Sequence, residues 1–568
     1  MTFPALFQKI SSTLKDLIPM SVVCWKERDQ HKTLYSDLFA GITVGLIALP
    51  LAMAFAIGSG VSPERGLYTA IIAGFLISLL GGSRVQIGGP TGAFVIIVYD
   101  IVQRQGYEGL AIATILAGIM MVIMGIARFG VFLKFIPYPV TVGFTSGIAL
   151  VIFSSQIKDF FGLAIDTVPA DFAEKWMVYA RTMHSWHPAT LIVGACTLAV
   201  IFLLRRYYPK IPGVIIAVVL ATIATAVLGL PIETIHTKFG GIPDMLPTPG
   251  LPLFTWDRVV SVFPDAISIA LLGAIESLLS AVVADGMTGH KHRSNSELIA
   301  QGLANIGSIL FGGIPATGAI ARTSANIKLG AKTPLAGIIH AITLFLLMLF
   351  LAPLAAKIPL AALAAVLVFI AWNMSEVTHF KGILKGEPSD ALVLMTTFLL
   401  TVFVDLTAAV QVGVVLAAML FVKRMADSTT VKICQTLLEE NADEHPAAHD
   451  SDIIFRKNVP ENTTIFEING PFFFAVSDIL NEQLRLMPIP PKIFILRMRH
   501  VSSIDATGVH ALEQFAVKCH KEGITFILSG VRPSLAAVLR KTGIEQVVNP
   551  VNIFRHLDDA LAAARLHS

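Results

Sequence analysis

Long apolar stretches follow one another from residue 36 to residue 427, with short polar turns between them. A helix needs about 20 apolar residues to cross the hydrocarbon core of a bilayer. Most of these stretches approach that length, and they form two series of seven, so the pattern predicts a helical membrane protein with fourteen segments. The predicted segments are 36–57, 66–81, 90–102, 109–127, 137–155, 188–205, 211–229, 263–286, 295–311, 317–328, 334–354, 359–374, 388–406 and 408–425.

The third and tenth segments are too short to span a bilayer alone. Each follows a diglycine, residues 81–82 or 312–313, and the stretches that open them, 88–94 and 313–322, each contain Pro and then Thr-Gly-Ala. Interrupted short segments at matching positions of two halves point to a binding site between discontinuous helices. Helix N-termini carry free N–H groups and partial positive charge, which suits an anion. The predicted donors are the backbone N–H groups of Thr91, Gly92, Ala93, Gly318, Ala319 and Ile320, with the Thr91 and Thr317 hydroxyls as further donors or caps. The alternative is a pair of kinked structural helices whose threonines only cap them.

Composition supports a membrane protein and excludes several other classes. Of the 568 residues, 54% are hydrophobic and 14% are charged, and the mean hydropathy is +0.72. A net charge of +3 gives no strong attraction to nucleic acid. The four cysteines are scattered, and no metal-ligand spacing, Walker loop or nucleophile motif occurs. We therefore expect a secondary transporter without a cofactor, and not an enzyme.

Basic residues in the short loops predict the orientation. Residues 1–35 lack the apolar core of a signal peptide, so we expect a cytoplasmic segment that contacts membrane lipid. With this segment inside, the inward loops carry the larger share of Lys and Arg, which places both termini in the cytoplasm of an inner-membrane protein. The basic residues of these loops are Arg84, Arg128, Lys134, Arg205, Arg206, Lys210, Lys291, Arg293, Lys328, Lys332, Lys381, Lys385, Lys423 and Arg424.

The apolar pattern of the transporter domain, residues 36–427, ends at a predicted linker over residues 428–451. Beyond it, residues 452–568 alternate between strand and helix patterns, which predicts a small cytoplasmic α/β domain. The predicted strands are 464–468, 493–498 and 525–529, and the predicted helices lie near 475–487, 506–522, 532–541 and 553–565.

Motifs in both parts resemble the SulP anion transporter family, whose members carry a C-terminal STAS domain. The matching stretches are 40–56, 66–68, 82–84, 89–91 and 275–289 in the membrane part, and Ser-Ile-Asp-Ala-Thr-Gly at 503–508 in the soluble part. The resemblance implies seven plus seven segments related as inverted repeats, and a homodimer. It also implies a core domain of segments 1–4 and 8–11 that moves against a gate domain made of the others.

Within the family, the chain is most similar to bacterial members that carry C4-dicarboxylates. Residues 47–54, 294–298 and 371–376 carry this similarity. It implies succinate, fumarate or aspartate as substrates.

Glu276 is the predicted coupling residue. It lies near the middle of the eighth segment among Leu272, Ile275 and Leu278, where an unpaired carboxylate is costly. Low dielectric favours a neutral carboxyl group, so Glu276 could take up and release a proton. The resemblance implies a coupling-ion carboxylate here, and Glu in place of the Asp of sodium-coupled bicarbonate members favours protons. The alternative is a permanently neutral Glu276 bonded to a neighbour such as Ser277.

The resemblance adds three positions to the predicted site. Arg322 matches a basic position near the anion site, where it could attract a second carboxylate or could snorkel and pair with Glu276. Leu51 and Phe55, one turn apart after Pro50, match pocket-lining positions, with helix packing as the alternative. Leu51 replaces a polar residue of some sulfate and chloride members, which favours a substrate with a carbon chain.

Three other polar residues receive separate interpretations. Ser294 and Glu297 fit a capping box, so Glu297 is interpreted as structural. His340 is interpreted as a hydrogen-bonded packing histidine. In the soluble domain, Thr507 matches the phosphorylatable position of related anti-sigma antagonists, at a predicted helix N-terminus that favours phosphate. The alternative for Thr507 is a helix cap without modification.

Together these features predict proton-coupled uptake of C4-dicarboxylates by a secondary transporter. Sodium-coupled transport of bicarbonate or sulfate on the same scaffold is the first alternative. The second is an anion sensor or scaffold that acts through a cytosolic protein bound to the STAS domain.

Overall fold

Helices occupy almost every stretch where the sequence is apolar. The computed structural model describes residues 16–27, 30–130, 137–165, 168–169, 171–208, 212–404, 406–427, 430–433, 459–473, 480, 482, 484–485, 490–542, 544 and 548–567. The chain forms two compact units, Met1–Ala417 and Ala418–Ser568.

The first series of elements runs from the N-terminal helix to the middle of the membrane part. It comprises α1 (Met20–Lys26), α2 (Gln30–Gly58), α3 (Pro63–Leu80), β1 (Gly88–Gly89), α4 (Gly92–Ile126), α5 (Tyr138–Ser155), α6 (Ile157–Phe161), α7 (Phe172–Thr182), α8 (Pro188–Tyr207) and α9 (Gly213–Leu228).

The second series repeats this arrangement. It comprises α10 (Ile235–Phe239), α11 (Trp256–Thr288), α12 (Ser294–Leu310), β2 (Thr317–Gly318), α13 (Ile320–Lys328), α14 (Leu335–Ala355), α15 (Leu360–Met374), α16 (Val377–Leu384), α17 (Pro388–Phe403) and α18 (Leu406–Asp427).

These helices confirm the predicted class of a polytopic helical membrane protein. Within the described ranges, nine helices are long and apolar enough to cross a membrane, and Gly213–Leu228 and Pro388–Phe403 are shorter apolar helices. The predicted third and fourth segments are joined in α4, where Gly106 interrupts the helical backbone with φ 68° and ψ −177°. That φ lies in the left-handed region, which glycine adopts readily.

The helices pack in two groups, as predicted for a core and a gate. In the core group, α4 packs on α11 and α12, α14 packs on α2 and α3, and α13 packs on α11. In the gate group, α5 packs on α15 and α17, and α8 packs on α9 and α15. Small residues bring the core helices close: a Cβ at Gly118 of α4 would lie 2.7 Å from the Gly302 carbonyl oxygen of α12.

The second unit contains a four-stranded sheet in the order β3–β4–β5–β6. β3 (Thr430–Ile433) is antiparallel to β4 (Thr463–Asn469), whereas β4, β5 (Ile493–His500) and β6 (Thr525–Ser529) are parallel. The helices are α19 (Ala506–Lys521), α20 (Pro533–Thr542) and α21 (Leu557–His567).

This sheet confirms the three predicted strands, but the prediction that residues 428–451 form only a linker is wrong at its start. β3 lies there. Its hydrogen bonds go to β4, about thirty residues further along the chain, so the strand depends on a distant partner and not on a local pattern. The rest of the predicted linker and most of the helix predicted near 475–487 lie outside the described residues.

Candidate anion site between two discontinuous helices

Two short strands join the starts of α4 and α13. β1 and β2 pair antiparallel, with Gly88 opposite Gly318 and Gly89 opposite Thr317. The Ala319 amide donates to the Ile87 carbonyl at 2.8 Å. The two half-helices therefore start from one crossing point, as expected for a site between them. However, the Ala319 N–H is already bonded, so its prediction as an anion donor needs correction.

Thr91 is the N-cap of α4, with φ −131° and ψ 159°, yet its side chain makes no capping hydrogen bond. Its Oγ1 is buried and has no hydrogen-bond partner among the described residues. The predicted role as a cap therefore does not apply. The hydroxyl is free to donate to a ligand beside the first amides of the helix, at Gly92 and Ala93.

Thr317 differs from Thr91 although the two stand in the same local motif. Its hydroxyl donates to the Gly273 carbonyl of α11 at 3.0 Å, and the side chain is fully buried. The N-cap of α13 is Ala319, without a side-chain bond. Thr317 thus neither caps α13 nor has its hydroxyl proton available for a ligand. Its hydrogen bond instead links β2 to α11.

The start of α4 faces an apolar wall that both helix groups supply. A Cβ at Gly92 would lie 3.4 Å from Phe55 Cε1, 3.2 Å from Ile152 Cδ1 and 3.0 Å from Met374 Sδ. Phe55 belongs to the core group, whereas Ile152 and Met374 belong to α5 and α15 of the gate group. Leu51, one turn before Phe55, is half-buried. Gly92 and Phe55 thus lie together where the core meets the gate.

Glu276 lies on the turn of α11 that contacts this crossing. Gly273 accepts the Thr317 bond one turn earlier, and a Cβ at Gly318 would lie 3.3 Å from the Cα of Ser277. The Glu276 residue is 7% exposed. Within the described part of the chain its carboxylate makes no hydrogen bond or ion pair, and the Ser277 hydroxyl donates to the Ala274 carbonyl instead. The alternative of a Glu276–Ser277 bond is therefore not what the structure shows.

Arg322 is a buried cation behind the start of α4. It is 3% exposed, and its Nη2 donates to the carbonyl oxygen of Pro90. Its Nη1 has no partner among the described residues and would lie 2.8 Å from a Cβ at Gly89. Arg322 thus neither snorkels nor pairs with Glu276. It places a positive charge against the loop that presents Thr91.

Three polar side chains around β1 were missed by sequence reasoning or were interpreted differently. Gln86 Nε2 donates to the Ser277 carbonyl at 3.2 Å, and Asn326 Nδ2 donates to the Val85 carbonyl at 2.9 Å. Their polarity within apolar segments was the available signal. His340 is fully buried and neither ring nitrogen has a partner in the described residues, so its interpretation as a hydrogen-bonded residue is wrong.

The interpretation of residues 294–297 as a capping box is also wrong. Arg293 is the N-cap of α12, and no side chain caps this helix. Glu297 is fully buried and instead accepts from the Gly82 amide at 2.8 Å and from Gln301 Nε2 at 2.8 Å. Its role is structural, as expected, but it links α12 to the end of α3.

In the second unit, Thr507 is exposed in the first turn of α19. The helix is capped by Asp505, whose Oδ1 accepts from the Gly508 amide at 2.7 Å. Thr507 is thus not the cap, and its hydroxyl lies at a helix N-terminus.

Two helix groups with a pair of crossing discontinuous helices between them define a membrane transporter, and the polar features at the crossing suit a small anion. The chain belongs to the sulfate permease family, whose model matches residues 34–397, and a STAS domain matches residues 455–560. The family members are transporters and not enzymes, and the bacterial relatives indicate an inner-membrane protein.

Known relatives extend over nearly the whole chain. A candidate sulfate transporter of Bacillus subtilis, YvdB, is 40% identical over 92% of this chain and 96% of its own length. The bicarbonate transporter BicA of Picosynechococcus is 32% identical over 80% of this chain and 81% of its own length.

Solved structures share the fold. The transmembrane domain of a cyanobacterial BicA superposes with a TM-score of 0.62, at 32% identity, over 66% of this chain and 97% of that domain. The murine anion transporter Slc26a9 superposes with a TM-score of 0.84 over 98% of this chain and 95% of its own, at 20% identity.

Proposed function

We propose that this chain is a secondary transporter that carries a small oxyanion, bicarbonate or sulfate, between α4 and α13. The observation that carries the proposal is the buried Thr91 hydroxyl at the start of α4, which has no partner in the part of the chain that the structure describes, with the Arg322 cation behind it. Free N–H groups at a helix start, a hydroxyl donor and a nearby positive charge are the groups that an oxyanion needs. The names of BicA and YvdB favour these two substrates.

The proposed substrate donors are the N–H groups of Gly92 and Ala93 and the Thr91 hydroxyl, with the Gly318 and Ile320 amides opposite. Phe55 and Leu51 form the apolar side of the pocket. Because Met374 and Ile152 lie on the gate group and Gly92 on the core group, movement of the core against the gate would open or close this pocket.

Glu276 is the proposed coupling carboxylate, and a proton is the proposed coupling ion. The carboxylate is buried beside the crossing with no protein partner in the described residues. A proton neutralises such a group without further ligands, whereas Na⁺ needs several oxygen atoms around it. Since a charged carboxylate inside a membrane protein is costly, its neutralisation can be linked to movement of the core.

C4-dicarboxylates are the second candidate substrates. The relatives' names give this prediction no support, and it rests on the wall of Phe55, Ile152 and Met374 over Gly92. A wall of this kind accommodates a carbon chain more readily than it does sulfate.

Uptake into proteoliposomes tests the proposal directly. Labelled bicarbonate, sulfate and succinate are compared under a pH gradient without sodium, and then under a sodium gradient without a pH difference. Glu276→Gln is measured beside Glu64→Gln, which removes a carboxylate from the first turn of α3, away from the site. We expect gradient-driven uptake of an oxyanion that Glu276→Gln abolishes and Glu64→Gln preserves.

Each outcome decides one part of the proposal. Uptake driven by sodium alone would replace the proton as coupling ion, and uptake of succinate alone would restore the dicarboxylate assignment. Wild-type uptake by Glu276→Gln at equal protein levels would refute its coupling role.

The homodimer, the cytoplasmic position of both termini and modification of Thr507 remain predictions. Removal of residues 428–568 separates a transporter from a sensor. A sensor acting through the STAS domain would lose its output, whereas a transporter that still folds would retain some uptake.

A further inference from the structure

A cavity lies between the core and gate groups and extends from the candidate site. It has a volume of about 640 Å³. Its core side is formed by the half-helix at the start of α4, from Val95 to Arg104, and by the first part of α11. Its gate side is formed by α5, α7 and the end of α17. By the predicted orientation this cavity opens at the outer face.

The cavity reaches down to the candidate site. Val95 lines it and lies one helical turn beyond Thr91, and Gly58 lines it and lies one turn beyond Phe55. An anion that enters the cavity from outside therefore meets the start of α4 at its floor.

Lys175 is a buried cation in the wall of this cavity. The residue is 3% exposed, and its Nζ has one hydrogen bond, to Ser155 Oγ at 3.3 Å. Nζ also lies 5.9 Å from the centre of the Tyr99 ring. Within the described residues, no carboxylate lies within ion-pair distance of Lys175. A buried ammonium group with free donors is costly unless an anion or water binds it.

The carboxylates around Lys175 are engaged by other groups. Arg104 binds Asp100 at 2.7 Å and Asp265 at 2.9 Å. Asp171 caps α7 by accepting from the Glu174 amide at 2.9 Å. Lys175 is thus the cation of this wall that has no carboxylate within ion-pair distance among the described residues, although the wall as a whole carries the carboxylates Asp100, Asp171 and Asp265 against Arg104 and Lys175.

The sequence of α7 holds Lys175 in this orientation. Asp171 begins the helix, and the Phe172 ring packs edge-on against Phe403 of the gate group at 5.5 Å. One turn later, Trp176 Nε1 donates to Ser154 Oγ at 3.2 Å. These anchors on both sides of Lys175 fix its side chain towards the cavity.

We propose that Lys175, with Ser155, forms an entrance subsite that binds the transported anion before it reaches the start of α4. This rests on the proposed anion transport. A small inorganic oxyanion fits, because it can accept from an ammonium and a hydroxyl group and is small relative to the cavity.

The charge of Lys175 makes this subsite sensitive to pH. Burial lowers the pKa of Lys175 from 10.5 to about 8, against the raising effect of Asp171. The other charged or titratable groups that line this cavity and the adjoining pocket are Tyr99, Asp100, Arg104, Asp265, Lys158, Asp159 and Lys238. The subsite is therefore cationic below pH 8 and loses its charge as the pH rises through that value.

Uptake kinetics in whole cells form the first test. We expect Lys175→Gln to raise the KM for external anion about fivefold to tenfold at pH 7, with little change in kcat, because one poorly screened charge is lost. The wild-type KM should rise between pH 7 and pH 9, whereas Lys175→Arg should keep a low KM throughout. Lys238→Gln is the matched control, since Lys238 is a lysine of the adjoining pocket that is paired with Asp159 at 3.3 Å. An unchanged KM in Lys175→Gln would overturn the proposal.

A binding measurement that needs no transport forms the second test. In purified full-length protein with Trp176 as the sole tryptophan, iodide and acrylamide quenching are compared. If Lys175 attracts anions, iodide quenches Trp176 fluorescence more strongly than neutral acrylamide does, and we expect Lys175→Gln to remove this excess while acrylamide quenching stays constant. In the parent protein, bicarbonate or sulfate should compete with iodide and reduce its quenching. If the excess persists in Lys175→Gln, no subsite exists at Lys175. If the excess depends on Lys175 but no anion is transported, the subsite stands and the proposed function fails.

Discussion

Gly318 is the position where a single methyl group should do most damage. It lies in β2, directly opposite Gly88 of β1. A Cβ at Gly318 would lie 1.7 Å from Gln86 Nε2 and 3.3 Å from the Cα of Ser277. Contacts below 3.0 Å require atoms to move, so Gly318→Ala must displace the Gln86 side chain.

The cost can be worked out from the contacts that are lost. Gln86 is 4% exposed and donates to the Ser277 carbonyl at 3.2 Å. Displacing it leaves the buried Gln86 amide group without this acceptor, which costs about 1–3 kcal/mol. A methyl group forced into a packed crossing costs about a further 1–3 kcal/mol. The expected destabilisation is therefore about 2–6 kcal/mol, concentrated at the point where both half-helices begin.

Thermal unfolding in detergent and anion uptake measure the two consequences. We expect Gly318→Ala to lower the Tm and to abolish uptake. Gly286→Ala is the control, because no atom lies within 4 Å of a Cβ at Gly286. Adding Gln86→Ala to Gly318→Ala should recover part of the stability, because it removes the side chain that the new methyl group strikes.

Two results would refute this reasoning. Gly318→Ala with the Tm and uptake of the wild type would show that the crossing has room for a side chain. Fully additive losses for Gly318→Ala and Gln86→Ala would show that the two positions do not interact.

Two further predictions concern side-chain hydrogen bonds. Thr317→Val should lower stability by about 1 kcal/mol through loss of the bond to Gly273, and Thr317→Ser should retain it, as measured by thermal unfolding. The hydrogen bonds from Arg84 lower the pKa of Glu27 below its usual 4.5. Their stabilisation is therefore present above about pH 4.5 and is lost on acidification through the lowered pKa. Glu27→Gln should reduce the fall in Tm below pH 4.5, and an identical acid profile would contradict this.

Most of the fold was predictable because each membrane segment is marked by its own local sequence. The segment predicted at 188–205 is observed at Pro188–Tyr207, and the one predicted at 359–374 is observed at Leu360–Met374. Length and apolarity suffice for such helices. β3 was not predictable in the same way. Its four residues follow α18, and their pairing with β4 depends on a partner distant in sequence.

The candidate site was predictable in its position but not in its bonding. Glycine and proline in two short segments predicted the position of the crossing. The apolar neighbours of Glu276 indicated that its carboxylate has a functional role. Which donors remain free depends on tertiary contacts that no local motif encodes. The Ala319 amide is bonded to Ile87, and Glu297 accepts from Gly82, just beyond the end of α3, instead of capping its own helix.

The two half-helices contribute different groups to the site, although their Thr-Gly-Ala motifs are alike. Thr317 donates to α11, whereas Thr91 has no partner among the described residues. Arg322, in the first turn of α13, has Ile96 as its counterpart in α4, so only one half carries the charge. That guanidinium group bonds Pro90, directly before Thr91. The first half-helix therefore presents the free hydroxyl and the second supplies the charge behind it, which is why duplication in sequence did not produce two equivalent half-sites.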